Sequence, residues 1–233
     1  MPSQVLIVCA GNVCRSPVAQ ALLDARTAPT VTVTSAGTQA LVGRRIDDPM
    51  SALLASRGLT GPEGEARQLS APMIASADLI LTMTRSQRAS VVTIDPRAVH
   101  RTFTLLEAAA LVRGLSPAAL GSASESDRVK RLPRLANAQR KQLALSPTAL
   151  DVADPHGRSK RRYREAFTAI EIAVEEVARA IHPLPPSGPE AAEPGPDVTP
   201  DRDREPGRGR RWRMAVAPVP VPHARHGRRR RPA

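Results

Sequence analysis

The sequence predicts an α/β fold, a three-layer sandwich in which a four-stranded parallel sheet is covered by helices on both faces. Three observations carry this. Short β-branched apolar runs alternate with helical spacings up to about residue 181, the arrangement that builds parallel βαβ units. No apolar run approaches the roughly 18 residues of a membrane-spanning helix. The only two cysteines, Cys9 and Cys14, fall in one short stretch, so a disulfide scaffold is excluded. A chain of 233 residues then divides into a folded domain over 1–182 and a Pro- and Arg-rich tail over 183–233.

Taken in order, residues 5–9 (VLIVC) are continuous, apolar and rich in β-branched types, as in a buried strand. Helical spacing follows over 17–23, with Pro17 in the first turn, where its missing N–H costs nothing. The intervening loop places Cys9 at a strand end and Arg15 at a helix mouth. A thiol, a run of backbone N–H groups and a guanidinium thus converge on one anion. Cys9 is a nucleophile as thiolate, which the helix N-terminus and Arg15 favour. Gly11 is expected to turn the chain with positive φ, and Asn12 tolerates the same region. Arg15 offers a planar fork to two oxygens of a tetrahedral oxyanion, and Ser16 is placed to donate its hydroxyl to the Cys9 sulfur.

The string CAGNVCRSP, with Cys9-x5-Arg15-Ser16 between a strand and a helix, resembles the signature loop of the low-molecular-weight protein tyrosine phosphatases. The resemblance implies a phosphate-binding loop after the first strand, made by Ala10, Gly11, Asn12, Val13, Cys14, Arg15 and Ser16, and no cofactor. It extends to Ser35-Ala36-Gly37-Thr38, expected as a turn after a strand over 30–34 (TVTVT). It extends also to the segment 66–69 (ARQL), expected to position structure. Asp47-Asp48-Pro49 should start a helix that runs through Arg57 to Gly58, with the two carboxylates as plain caps.

Residues 77–83 (ADLILTM) form the next expected strand, followed by a helix over TRSQRASVV. Residues 99–105 form the fourth, leading into a helix from about Leu106. In such sheets the ligand lies beyond the carboxyl ends of the strands, where the Cys9 loop falls. The polar, basic stretch 115–149 is expected as helix and loop near the rim of that site, either as a solvated face or as a surface attracting an anionic substrate. Residues 161–181 form the last helix, with Phe167, Ile170, Val174, Val177 and Ile181 on one stripe.

A phosphate ester with a poor leaving group needs a proton donor at the leaving oxygen. In the resembling family a DP pair before the last helix supplies it, which Asp154-Pro155 matches, with Asp151 as runner-up. The family often carries aromatics after that pair, as a wall for the phosphotyrosine ring. Here the position holds His156, and Tyr163 lies close enough to substitute. Two relatives within the resemblance separate on residues. Arsenate reductases need further cysteines, which this chain lacks. Protein-arginine phosphatases favour Thr before the second loop cysteine, where this chain has Val13. Cys14, five positions from the nucleophile, is expected as a redox partner that traps oxidised Cys9 as a disulfide.

Much of the formal charge of +12 comes from the last part of the tail, which from Arg208 onward has no acidic residue and ends in Arg228, Arg229, Arg230 and Arg231. Such a tail suits nucleic acid, anionic lipid or an acidic protein. A polyanion-binding adaptor is therefore the reading from a different class. Aromatics are 2% of the chain, which leaves few rings for base stacking. The N-terminus lacks the pattern of a secretory signal, and with its cysteine usage the chain is expected in the cytoplasm, acting on phosphotyrosine-containing proteins without a metal. No HExxH or CxxC cluster occurs.

Overall fold

The apolar run at the start of the chain becomes β1 (Ser3–Cys9), an inner strand of a four-stranded parallel sheet of order β2-β1-β3-β4. The computed structural model describes residues 2–182 except 122 and 141–146. The expected tail over 183–233 lies outside the described residues. After β1 come α1 (Arg15–Asp24), β2 (Val31–Gly37), α2 (Asp48–Ala55), α3 (Ala71–Ser76), β3 (Leu79–Thr82) and α4 (Arg85–Ile94). A 3-10 helix (Pro96–Arg101), β4 (Thr102–Thr104), α5 (Leu105–Arg113), α6 (Pro117–Leu120), α7 (Glu125–Arg140), a second 3-10 turn (Pro147–Leu150) and α8 (Lys160–Ile181) complete it.

Strand alternation makes the three layers. Val5, Ile7 and Cys9 of β1, with Leu79 and Leu81 of β3, face one core, shared with α1, α5, α7 and α8. Leu6 and Val8, with Ile80, face a smaller core closed by Ile74 of α3 and Val91 of α4. Both faces of every central strand are therefore dry, which is why these strands read as unbroken apolar runs. With so few aromatics, Phe103 and Phe167 are the largest fully buried side chains. Each is covered by a guanidinium, Arg140 at 4.4 Å and Arg57 at 5.4 Å from the ring centroid.

Several sequence expectations are corrected. Ser35, Ala36 and Gly37 are not a turn: pairing with Ile7, Val8 and Cys9 carries β2 through them, while Thr30 stays outside. The third strand is shorter than 77–83, and only Thr102–Thr104 of the fourth is extended. Asp95 caps a 3-10 turn that consumes Val99, His100 and Arg101.

The stretch 115–149 was expected at the rim of the site, yet α7 starts at the opposite end and only its last turn comes back, where Arg140 pairs with Glu107 at the start of α5 at 2.9 Å. Glu125 accepts from the Ala28 N–H, just before β2 (2.5 Å), and pairs with His182, just after α8 (2.6 Å). Its basic residues are also not simply a solvated face. Arg128 is buried and donates to the carbonyls of Gly121, Ala123 and Ala180. Lys130 and Arg134 line a cleft of about 630 Å³ with Arg97, His100 and Arg101, beside the start of β3. Among the described residues, no helix is long and apolar enough to cross a membrane.

Candidate active site

Where β1 ends, the chain must turn to enter α1, and the loop 10–14 does so around the Cys9 sulfur. Cys9 is 1% exposed, and its Sγ accepts the Asn12 N–H at 3.2 Å and the Ser16 hydroxyl at 3.0 Å. Two hydrogen-bond donors thus meet on one sulfur, ahead of the N-terminus of α1. The expected positive φ at Gly11 is not found. Asn12 takes the left-handed conformation instead, at φ 55°. Its side chain makes that tenable. The amide donates to Ser16 Oγ (3.0 Å) and Ser35 Oγ (2.9 Å), and its oxygen accepts from the Arg67 N–H (2.8 Å).

Ser35 passes the chain of bonds to Gln20, at 2.7 Å. The ARQL segment braces the loop from outside, as expected. The Arg67 carbonyl accepts from the Gly37 N–H, and the Arg67 guanidinium donates to the Ser35 carbonyl. Gly37 is held at close quarters here, since a methyl group on it would run into the Ala10 carbonyl oxygen and stand 3.0 Å from Ala40 Cα. Gly37→Ala is expected to destabilise the fold by about 2 kcal/mol, read as a fall in Tm of roughly 4–8 °C in thermal denaturation.

Arg15 is almost wholly buried. Its Nη1 donates to the Val152 carbonyl (3.0 Å) and its Nη2 to Asp154 Oδ2 (2.5 Å), residues more than a hundred positions away. Its Nε–H has no partner among the described residues. A buried N–H of this kind can donate to an oxyanion. Asp154 is half-exposed, with Oδ1 accepting from the His156 N–H at 3.1 Å. Asp151, the runner-up acid, is instead engaged by the Arg85 backbone and guanidinium.

Asp47 and Tyr163 are corrected. The Asp47 carboxylate makes no capping bond to α2. It is 8% exposed and takes His156 Nδ1 at 2.7 Å and the Tyr163 hydroxyl at 3.1 Å. Tyr163 is therefore not a free ring: it is buried, and it also accepts the Gly157 N–H. Burial is the first cause that pushes its phenol up, opposed by the Gly157 bond and reinforced by Asp47.

Ala10, Val13 and Cys14 complete the loop, with Val13 packed in the core. Both thiols are free and buried. Burial first, then the charges of Asp47 and Cys9, push the Cys14 thiol far up, so the thiolate that would attack an oxidised Cys9 is disfavoured.

Sequence reasoning missed Ser35, Val152 and the pair Leu41 and Val42. The Leu41 N–H donates to the Gly11 carbonyl, and both side chains stay exposed beside the loop. Their one signal was two adjacent large apolar residues in the run 38–48, whose only other large apolar residue is Ile46. Among the described residues, no group of three or more His, Cys, Asp and Glu stands close enough to hold a metal ion.

Residues 4–114 match the family described as low molecular weight phosphotyrosine protein phosphatase. The probable low molecular weight protein-tyrosine-phosphatase EpsP of Ralstonia nicotianae is 39% identical over 107 residues, 46% of this chain and 73% of that protein. A protein-arginine-phosphatase of Geobacillus stearothermophilus is 29% identical over 181 residues, 78% of this chain and 97% of its own length. The solved structure of the tyrosine phosphatase AmsI of Erwinia amylovora superposes with a TM-score of 0.54 at 25% identity, covering 76% of this chain and 91% of that one.

Proposed function

Because this chain belongs to the low molecular weight phosphotyrosine protein phosphatase family, we propose that it hydrolyses phosphotyrosine in proteins through a cysteinyl-phosphate intermediate. The observation that carries the reading is the meeting of two distant segments: the Cys9 loop and, 139 positions on, Asp154 against Arg15. Cys9 attacks phosphorus in line as the bond to the phenolic oxygen breaks. Arg15 and the loop N–H groups hold the equatorial oxygens where charge develops. Asp154 gives its proton to the leaving phenol.

The Asp154 carboxylate then takes a proton from water as the water oxygen attacks phosphorus. The sulfur–phosphorus bond breaks, and Cys9 returns to thiolate, held by Ser16 and Asn12. Leu41 and Val42, exposed beside the loop, form the wall for the ring. The protein works in the cytoplasm on phosphotyrosine-bearing proteins, with the 183–233 tail as a binder of nucleic acid, anionic lipid or an acidic protein.

One observation favours a second reading. The match to a protein-arginine-phosphatase runs over 78% of this chain. The test is hydrolysis by the full chain of a phosphotyrosine peptide and a phosphoarginine peptide of the same flanking sequence. We expect turnover of the first at least tenfold above the second. The reverse ratio moves the substrate to phosphoarginine. Turnover of neither overturns the enzyme reading and leaves the polyanion-binding adaptor.

A further inference from the structure

Asp47 stands at the start of α2, where a carboxylate ordinarily caps the helix by accepting from its first N–H groups. It forgoes that bond. Its side chain is instead buried between two residues 109 and 116 positions further on, His156 and Tyr163. Burying a carboxylate is costly unless it is fully engaged, so this arrangement has to be explained by what it holds.

Its neighbours answer that on both sides. On one side, the Asp47 N–H donates to the Val13 carbonyl at 2.7 Å, which fixes Asp47 to the loop around Cys9. On the other, the two groups bound by its carboxylate control the turn carrying Asp154. The His156 N–H donates to Asp154 Oδ1 at 3.1 Å, and the Tyr163 hydroxyl accepts from the Gly157 N–H at 3.3 Å. Asp154 is thus oriented by one oxygen through His156 and by the other through Arg15.

We propose that Asp47 is the positioning residue of the general acid: with His156 and Tyr163 it clasps the 154–157 turn to the Cys9 loop and so sets where the proton is delivered. This rests on the phosphatase reading above. Asp47 does not touch the substrate in this scheme. Its effect passes through Asp154, and displacing an acid by about 1 Å from its acceptor can cost 10²-fold in rate. The site's amides and guanidinium are left in place, so the loss should fall on the proton-transfer component alone.

Leaving-group dependence separates this from a merely structural role. Phenyl phosphate expels a phenol of pKa near 10 and needs the acid. A dinitrophenyl phosphate expels a group stable as an anion and does not. In the full chain, Asp47→Asn is expected to raise the ratio of kcat/KM for the dinitrophenyl over the phenyl ester by about 10- to 100-fold. His156→Ala should move the ratio in the same direction. His156→Asn, whose amide N–H stands where Nδ1–H was, should restore it to within about threefold of the parent.

His156 is half-exposed, so its variants carry the test should Asp47→Asn not fold, as judged by thermal unfolding. An unchanged ratio in Asp47→Asn or His156→Ala, or equal loss on both esters, overturns the proposal. Absence of turnover of both esters by the parent overturns the phosphatase reading itself, and this inference with it.

Discussion

Cys9→Ser is expected to lower kcat/KM for a phosphotyrosine peptide by about four orders of magnitude or more, the scale of loss when the nucleophile of a covalent mechanism is removed. The reason is local. The two groups that touch the sulfur, the Asn12 N–H and the Ser16 hydroxyl, are arranged as donors to an anion and offer no base. A serine hydroxyl in the same place keeps its proton and attacks phosphorus poorly. Binding should survive, because Arg15 and the loop amides are untouched. Inorganic phosphate measured by calorimetry should bind the variant within a few-fold of the parent. Activity within tenfold of the parent would remove Cys9 from the reaction.

Asp154→Ala is expected to cost about 10²- to 10⁴-fold in kcat/KM on the same peptide, the span of general acid–base contributions. A second effect comes from the short contact between Asp154 and Arg15. In the free protein that carboxylate occupies the guanidinium edge from which a phosphate oxygen would accept. Its removal frees Nη2, so the variant should bind inorganic phosphate more tightly while turning over more slowly. A fall in affinity together with the fall in rate would show that Asp154 supports the loop and does not deliver a proton. Asp154→Asn is the companion measurement, since it retains bulk and loses the acid.

Legibility in the sequence followed the range of the forces involved. The run 5–9 and the stripe on α8 could be read because burial on both faces of a strand, or on one face of a helix, is written in adjacent residues. The Cys9 loop and Asp154 were singled out through the resemblance of CAGNVCRSP and the later DP pair to a known family, and the structure brings Asp154 against Arg15. Strand ends were not. Ser35 to Gly37 are small and turn-like, and only pairing to β1 makes them strand.

Gly11 was the obvious residue for positive φ, but Asn12 has side-chain partners in Ser16, Ser35 and Arg67 that compensate the strain, and those lie far along the chain. Asp47 looked like an ordinary cap for the same reason. Its partners, His156 and Tyr163, come from the other end of the domain, and nothing within a few residues of it announces them. The position of α7 was likewise settled by Ala28 and His182, which local periodicity does not name.

The bonds from Arg15 to Val152 and Asp154 join segments 137 and 139 positions apart. Contacts of that span close late, because the chain loses loop entropy before it gains from them, and parallel sheets defer pairing further. On the ribosome, the Cys9 loop is therefore made long before Asp154 is. A growing chain can present Cys9 and Arg15 early, yet it has no aligned proton donor until α8 has packed and carried the 151–157 segment back over β1. On the proposed mechanism, acid-assisted turnover requires the completed tertiary fold, so partly synthesised chains are expected to lack it.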